Sequence, residues 1–153
     1  MLSIYLAYFH SPLDWLELVS DSQTLLAINF VRNPKPVDKI TPFLRETIKQ
    51  LKEYFKGQRK KFSLSLSLSG TAWQNRVWLA LTQVPYGAVI SYQDLAEAVG
   101  QSGAARAVGQ AVGANPLPII IPCHRVLAGG GKLGGYSGGL KKKMWLLQHE
   151  GHF

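Results

Sequence analysis

Residues 91–113 read SYQDLAEAVGQSGAARAVGQAVG, and this stretch decides the architecture of the second half of the chain. Ser91 with Asp94 three residues on has the form of a capping box, opening a helix through Leu95, Ala96 and Val99 that Gly100 ends. Ser102 can cap a further helix, from Gly103 to about Gly113. Two short helices joined by a tight Gly-Gln-Ser turn make a helix-turn-helix signature. In the second helix Ala105, Val108 and Val112 form a buried stripe, while Arg106, Gly109, Gln110 and Gly113 fall on another. A glycine inside a helix costs roughly 1 kcal/mol against alanine, so its presence needs a reason. Close approach to something flat, such as a DNA groove, is one; tight packing against another helix is the other. Spacing does not choose between them.

Moving outward, Thr71 with Gln74 forms a capping box upstream, with Trp73, Val77, Trp78 and Leu81 on one helical face before Pro85-Tyr86-Gly87 breaks the pattern. Downstream, residues 115–126 read NPLPIIIPCHRV. Pro116 disfavours a helical backbone at Asn115. The three isoleucines at 119–121 read as a buried strand that delivers Cys123 to a proline-bracketed turn. His124 is adjacent, and a histidine near a thiol helps form the nucleophilic thiolate. Neighbouring side chains rarely face each other, so the pair calls for a bridging water. Lys141, Lys142 and Lys143 read first as a solvated helix face, with Leu140, Met144 and Leu147 behind it, and phosphate contact is the second option. Residues 129–134, GGGKLG, fit the letter of a dinucleotide-binding glycine pattern, but no helix of the right length and no acidic residue about 20 positions on follow. No nucleotide or methyl-donor cofactor is expected.

The first third has a different grammar. Residues 2–9, 15–19 and 24–31 are strand-forming runs separated by turn signals, which predicts an antiparallel meander. Thr41 as N-cap and Pro42 at the first helical position open a helix. Its apolar stripe is Ile40, Leu44, Ile48, Leu51 and Phe55, and Gly57 stops it. Residues 56–61, KGQRKK, read first as a solvated helix end, with a DNA contact as the alternative. Residues 62–69, FSLSLSLS, alternate with period two, so an extended segment with one face on a core is expected. The lobe boundary is placed at residue 69: an α/β N-terminal lobe over 1–69, and a mostly helical C-terminal lobe over 70–153.

With 153 residues, 46% apolar and 17% charged, the chain is of ordinary globular composition. A single cysteine excludes an internal disulfide and a thiolate metal cluster, and no metal is expected. The net charge of +8 favours a polyanionic partner. The excess is shared: residues 1–70 carry 10 Lys and Arg against 6 Asp and Glu, and residues 71–153 carry 7 against 3. No apolar run reaches membrane-spanning length, and the first ten residues do not read as a signal peptide. A monomeric cytoplasmic protein with no membrane partner is expected.

The PCHRV run at 122–126 resembles the active-site motif of the O6-alkylguanine-DNA alkyltransferases, or methylated-DNA–protein-cysteine methyltransferases. ISYQ at 90–93, AARAVG at 104–109, Asn115-Pro116, GYSGG at 135–139 and HEG at 149–151 fall in that family's order and spacing. The resemblance covers residues 70–151 and, more loosely, the N-terminal lobe. It implies a single-turnover DNA repair protein acting on double-stranded DNA that bears O6-alkylguanine, with O4-alkylthymine a further substrate. Cys123 would accept the alkyl group and His124 take its proton through a water. Glu150 would polarise His124, and Tyr92 would donate to the guanine. Asn115 would brace the turn between the DNA-binding helix and the cysteine. Tyr136 and Ser137 would line the flipped base. Arg106 would fill the vacancy left in the duplex, with Ser102, Ala105, Gly109 and Gln110 on the DNA side. The alternative is a lesion-binding protein without catalysis, against which the cysteine itself argues.

Overall fold

The structure, a computed structural model, describes residues 2–153. The chain divides between Leu68 and Ser69 into two compact units. In the first, β1 (Tyr5–Ser11), β2 (Asp14–Ser20) and β3 (Leu25–Val31) form an antiparallel meander in chain order. Side-chain chemistry sets both turns. Ser11 Oγ accepts from the amide of Leu13 and donates to the carbonyl of Asp14. The Asp21 carboxylate accepts from the amides of Gln23 and Thr24 and from the Thr24 hydroxyl. Helix α1 (Pro42–Phe55) starts where its sequence says it should, with Thr41 Oγ1 accepting from the Leu44 amide at 3.2 Å. It packs on β1, and Leu16, Leu18, Leu25, Leu44, Leu51 and Tyr54 have no exposed surface.

The alternating run after α1 is extended, with Phe62, Leu64 and Leu66 half-buried and Ser63 and Ser65 exposed. Among the described residues its bridge to the sheet is a single parallel one between Leu25 and Leu66. The reason lies in Gln50, whose side-chain amide takes both backbone groups of Ser63 and so diverts them from a ladder.

The second unit holds α2 (Ala72–Leu81), α3 (Tyr92–Ala98), α4 (Ala105–Gly113) and α5 (Leu140–His149). A two-stranded parallel pair joins β4 (Ile90–Ser91) to β5 (Val126–Leu127). The Thr71–Gln74 capping box is present in both directions, whereas Ser91 accepts from the Asp94 amide without a recorded return bond. Two indoles fix α4: Trp78 Nε1 donates to the Ala111 carbonyl at 2.8 Å and Trp73 Nε1 to that of Ala107 at 3.3 Å. Helices α3 and α4 pack together as a helix-turn-helix pair, with Gly100 at φ +78° in the turn. Among the described residues no helix is long and apolar enough to cross a membrane.

Three expectations need correction. Ser102 does not cap α4, which begins at Ala105 after an uncapped Ala104; the Ser102 carbonyl instead accepts from Gln93 Nε2 at 2.8 Å. The isoleucines are buried, but they form a turn and not a strand. Pro118 and Pro122 offer no N–H to a ladder, and the backbone groups of Leu117 and Ile121 are bonded locally. Asn115 accepts from the Leu117 amide and donates to the Ile121 carbonyl, and the Ile121 amide returns to Leu117. The turn forces Ile119 to φ +76°, a conformation costly for a β-branched side chain. Lys143, thirdly, has no exposed surface, whereas Leu140 is 51% exposed. The buried face of α5 is Lys143, Leu146 and Leu147, continued by Glu150.

Candidate active site

The parallel pairing of Ile90 with Val126 and Ser91 with Leu127 brings the N-terminus of α3 against the segment that follows Cys123. Tyr92 is the first residue of that helix. Cys123 opens a single 3-10 turn, Cys123–Arg125, and is 4% exposed. Its sulfur borders a cavity of about 230 Å³, which Tyr92, Gly109, Tyr136 and Ser137 also line. That volume is below the range typical of drug-sized ligands, so it suits one small group. The glycine loop closes against the phenol: Gly134 has φ +70°, and a Cβ there would lie 3.2 Å from Tyr92 Oη.

Behind the sulfur stands a buried charge network. His124 is wholly buried, with Nε2 2.8 Å from Glu150 Oε2. Arg125 grips the same carboxylate, Nε to Oε1 at 2.7 Å and Nη2 to Oε2 at 3.0 Å, and its Nη1 donates to the Val84 carbonyl at 2.6 Å. Burial works against the Glu150 charge, but the bonds from His124 and Arg125 outweigh it and hold the carboxyl well below its usual range. An ionised carboxylate only accepts, so Nε2 of His124 carries the proton and Nδ1 is left as the acceptor. Nδ1 is buried and makes no hydrogen bond among the described residues. Burial also keeps His124 neutral, lowering its pKa against the opposing pull of Glu150.

Burial raises the pKa of the Cys123 thiol, against smaller lowering effects from the Asn115 side chain and the Lys143 charge. Lys143 Nζ donates to the Val126 carbonyl at 2.6 Å and to the Gly135 carbonyl at 3.0 Å. Desolvation brings its pKa down to about 8. Tyr92 and Tyr136 are both pushed up, by burial first, so each keeps its phenolic proton at neutral pH. The arrangement is that of a neutral thiol at a small cavity, an acceptor nitrogen on an adjacent residue and phenolic donors across the space.

Of the residues singled out from the sequence, Cys123, Tyr92, Tyr136, Ser137 and Gly109 meet at the cavity, with His124, Glu150 and Asn115 behind it. Arg106, Gln110 and Ser102 are exposed, and Ala105 is half-buried, on the turn and helix outside. Sequence reasoning missed two residues of the network. Arg125 has no role in the sequence reading, and Lys143 reads there as part of a solvated face. The helical spacing of Lys143, Leu147 and Glu150, which share a face at i, i+4 and i+7, was the available signal.

The 6-O-methylguanine DNA methyltransferase DNA-binding domain matches residues 72–152, and the ribonuclease-like domain of the same proteins matches residues 4–68. A methylated-DNA–protein-cysteine methyltransferase of Methanosarcina acetivorans is 40% identical over 97% of this chain and 99% of its own. The constitutive enzyme of Bacillus subtilis is 46% identical over 90% and 75%. Among solved structures, Mycobacterium tuberculosis O6-methylguanine methyltransferase superposes with a TM-score of 0.88 at 37% identity, covering 97% of this chain and 93% of that one. A Mycobacterium tuberculosis relative in complex with DNA gives 0.88 at 38%, over 95% and 92%. The sheet-bearing first unit, the helical second unit and both matched halves agree, and the chain belongs to the methylated-DNA–protein-cysteine methyltransferase family.

Proposed function

We propose that this protein removes the alkyl group from O6 of guanine in double-stranded DNA and keeps it on Cys123. The observation that carries the reading is a buried thiol at a base-sized cavity, backed by a histidine whose tautomer is fixed by a buried carboxylate. An O6 substituent sits against the base stack, so the nucleotide must leave the duplex, at a cost of a few kcal/mol. Arg106, exposed on α4, fills the vacancy and offsets the lost stacking; Ser102, Ala105, Gly109 and Gln110 lie on the DNA side. Tyr136 and Ser137 hold the base. The thiol proton passes through a water to His124 Nδ1 as the sulfur attacks the alkyl carbon. The carbon–oxygen bond breaks, and Tyr92 supplies a proton to the guanine ring as negative charge develops there. Asn115 holds the turn that presents the sulfur. The product is a thioether, a poor leaving group, so each chain reacts once. O4-alkylthymine is accepted by the same chemistry, and the protein acts as a cytoplasmic monomer.

Intact mass after incubation with duplex DNA containing O6-methylguanine tests this. A gain of one methyl per chain, saturating with excess lesion and absent in Cys123→Ala, is the expected result. Repeated turnover would point to a hydrolase, and binding without mass gain to a lesion-binding protein.

A further inference from the structure

Helix α1 carries a second feature that the repair chemistry does not use. Arg45, Lys49, Lys52 and Lys56 are all exposed and follow one another at spacings of four, three and four. At 100° per residue they fall within about 60° of arc, and at a 1.5 Å rise they extend about 16 Å along the helix. The two carboxylates of the helix form no ion pair with them. Glu53 is bonded to Arg59 at 3.0 Å and Glu46 to Gln50 Nε2 at 2.8 Å. No ion pair to any of the four is formed among the described residues. Arg45 is tethered by its Nε to the Ile40 carbonyl. Beside the stripe runs an open groove of about 540 Å³, lined by these four cations together with Ile40, Ile48, Gln58 and one carboxylate, Glu53, which is bonded to Arg59. It is larger than the cavity at Cys123 and has no titratable cluster of catalytic type.

We infer that the α1 stripe is a second DNA-contacting surface, which binds the phosphate backbone of a duplex without reading its sequence. A row of four cations without an ion-pair partner answers a polymer carrying one negative charge per 1.7 Å of axis. The apolar strip of Ile40 and Ile48 meets the sugar edges between phosphates. Lysine and arginine at helical spacing give positioning and no base readout. The inference rests on the proposed function only in that DNA is the polyanion the protein meets.

The experiment is the salt dependence of affinity for an undamaged duplex, for the wild type, for Lys49→Gln/Lys52→Gln, and for Lys35→Gln/Lys39→Gln as an equal-charge control off the stripe. Each lost phosphate contact lowers the slope of log affinity against log salt by about 0.9. The stripe variant should therefore lose about 1.8 from the slope, and the control much less. Between 50 and 200 mM salt, the wild type should weaken roughly twelvefold more than the stripe variant. Alkyl transfer from free O6-benzylguanine should proceed at the wild-type rate in all three, which keeps the fold and pocket under control. A stripe variant with the control's slope would overturn the inference and leave the helix face as a stabiliser of α1 only. The same slope with preferential wild-type binding to polyglutamate would overturn it in favour of an acidic protein partner. Failure of the wild type to bind any duplex would count against the proposed function as well, and is separately visible.

Discussion

At the scale of single residues, the second unit is organised by one carboxylate. Glu150 is 6% exposed and bonds both His124 and Arg125. Removing one partner of a buried ion pair typically costs about 3–5 kcal/mol, because the other charge is left uncompensated. Glu150→Gln and Arg125→Met should each destabilise by about that amount. The double variant should cost clearly less than the sum, since neither stranded charge remains. Urea unfolding of the four proteins measures the coupling, and strict additivity would show that the 2.7 Å contact is energetically idle. Activity separates the two residues. In the proposed reaction Glu150 fixes the histidine tautomer directly, whereas Arg125 only positions Glu150. Arg125→Lys should therefore regain part of the rate lost in Arg125→Met, read with free O6-benzylguanine to keep DNA binding out of the measurement.

At the scale of elements, the structure shows what surrounds the glycines of α4. A Cβ at Gly109 would lie 3.6 Å from the Tyr92 ring, an ordinary contact, and one at Gly113 would meet nothing within 4 Å. Packing within the chain therefore does not require glycine at either place, and both border the cavity at Cys123, where a bare backbone leaves space. Gly109→Ala should raise stability by about 0.5–1 kcal/mol, the usual helix-interior gain, while weakening duplex binding. Thermal melts and a duplex titration check both arms; unchanged affinity would leave the glycine with the cavity alone. The same scale shows what the sequence could and could not disclose. Caps at Thr41, Thr71 and Ser91 were legible because a cap is decided within four residues. The meander was legible because its turn chemistry is equally local. The isoleucine turn was not, since its strand-forming run is overruled by Asn115, whose amide spans six residues to the Ile121 carbonyl. Lys143 was hidden for a related reason: its two acceptors, Val126 and Gly135, lie 17 and 8 residues away. The chemical residues themselves were legible through the order of short motifs, whereas the bonds joining His124, Arg125 and Glu150 depend on α5 docking beside the 3-10 turn.

For the molecule as a whole, the buried titratable groups fix how stability depends on pH, and the signs can be worked group by group. His124 has its pKa lowered by burial, so as pH falls through about 6.5 the unfolded chain takes up a proton before the folded one does. Stability then declines by at most about 1.4 kcal/mol per pH unit per such group. Glu150, held low by its two partners, is ionised in both states above about 4.3. Its contribution is complete above that pH and is lost below it, as the unfolded carboxylate protonates first and the folded one follows. The acid limb should thus begin near pH 6.5 and steepen near 4.3. On the alkaline side two buried groups oppose one another. Lys143, lowered to about 8, releases its proton from the folded state first, which makes stability rise with pH between about 8 and 10.4. Cys123, raised by burial, keeps its proton in the folded state while the unfolded thiol ionises above about 8.5, which makes stability fall. The wild type should therefore be nearly flat from pH 8 to 9.5. Lys143→Met removes the rising member of the pair and should expose a clear decline over that interval, superimposed on a loss at all pH values from the undonated Val126 and Gly135 carbonyls. Cys123→Ser should do the reverse, leaving a rise. Denaturant midpoints measured every half unit from pH 4 to 9.5 on the three proteins, without DNA, decide the matter. Parallel alkaline limbs in all three would show that neither buried group titrates differently on unfolding, and that burial does not raise the thiol of Cys123.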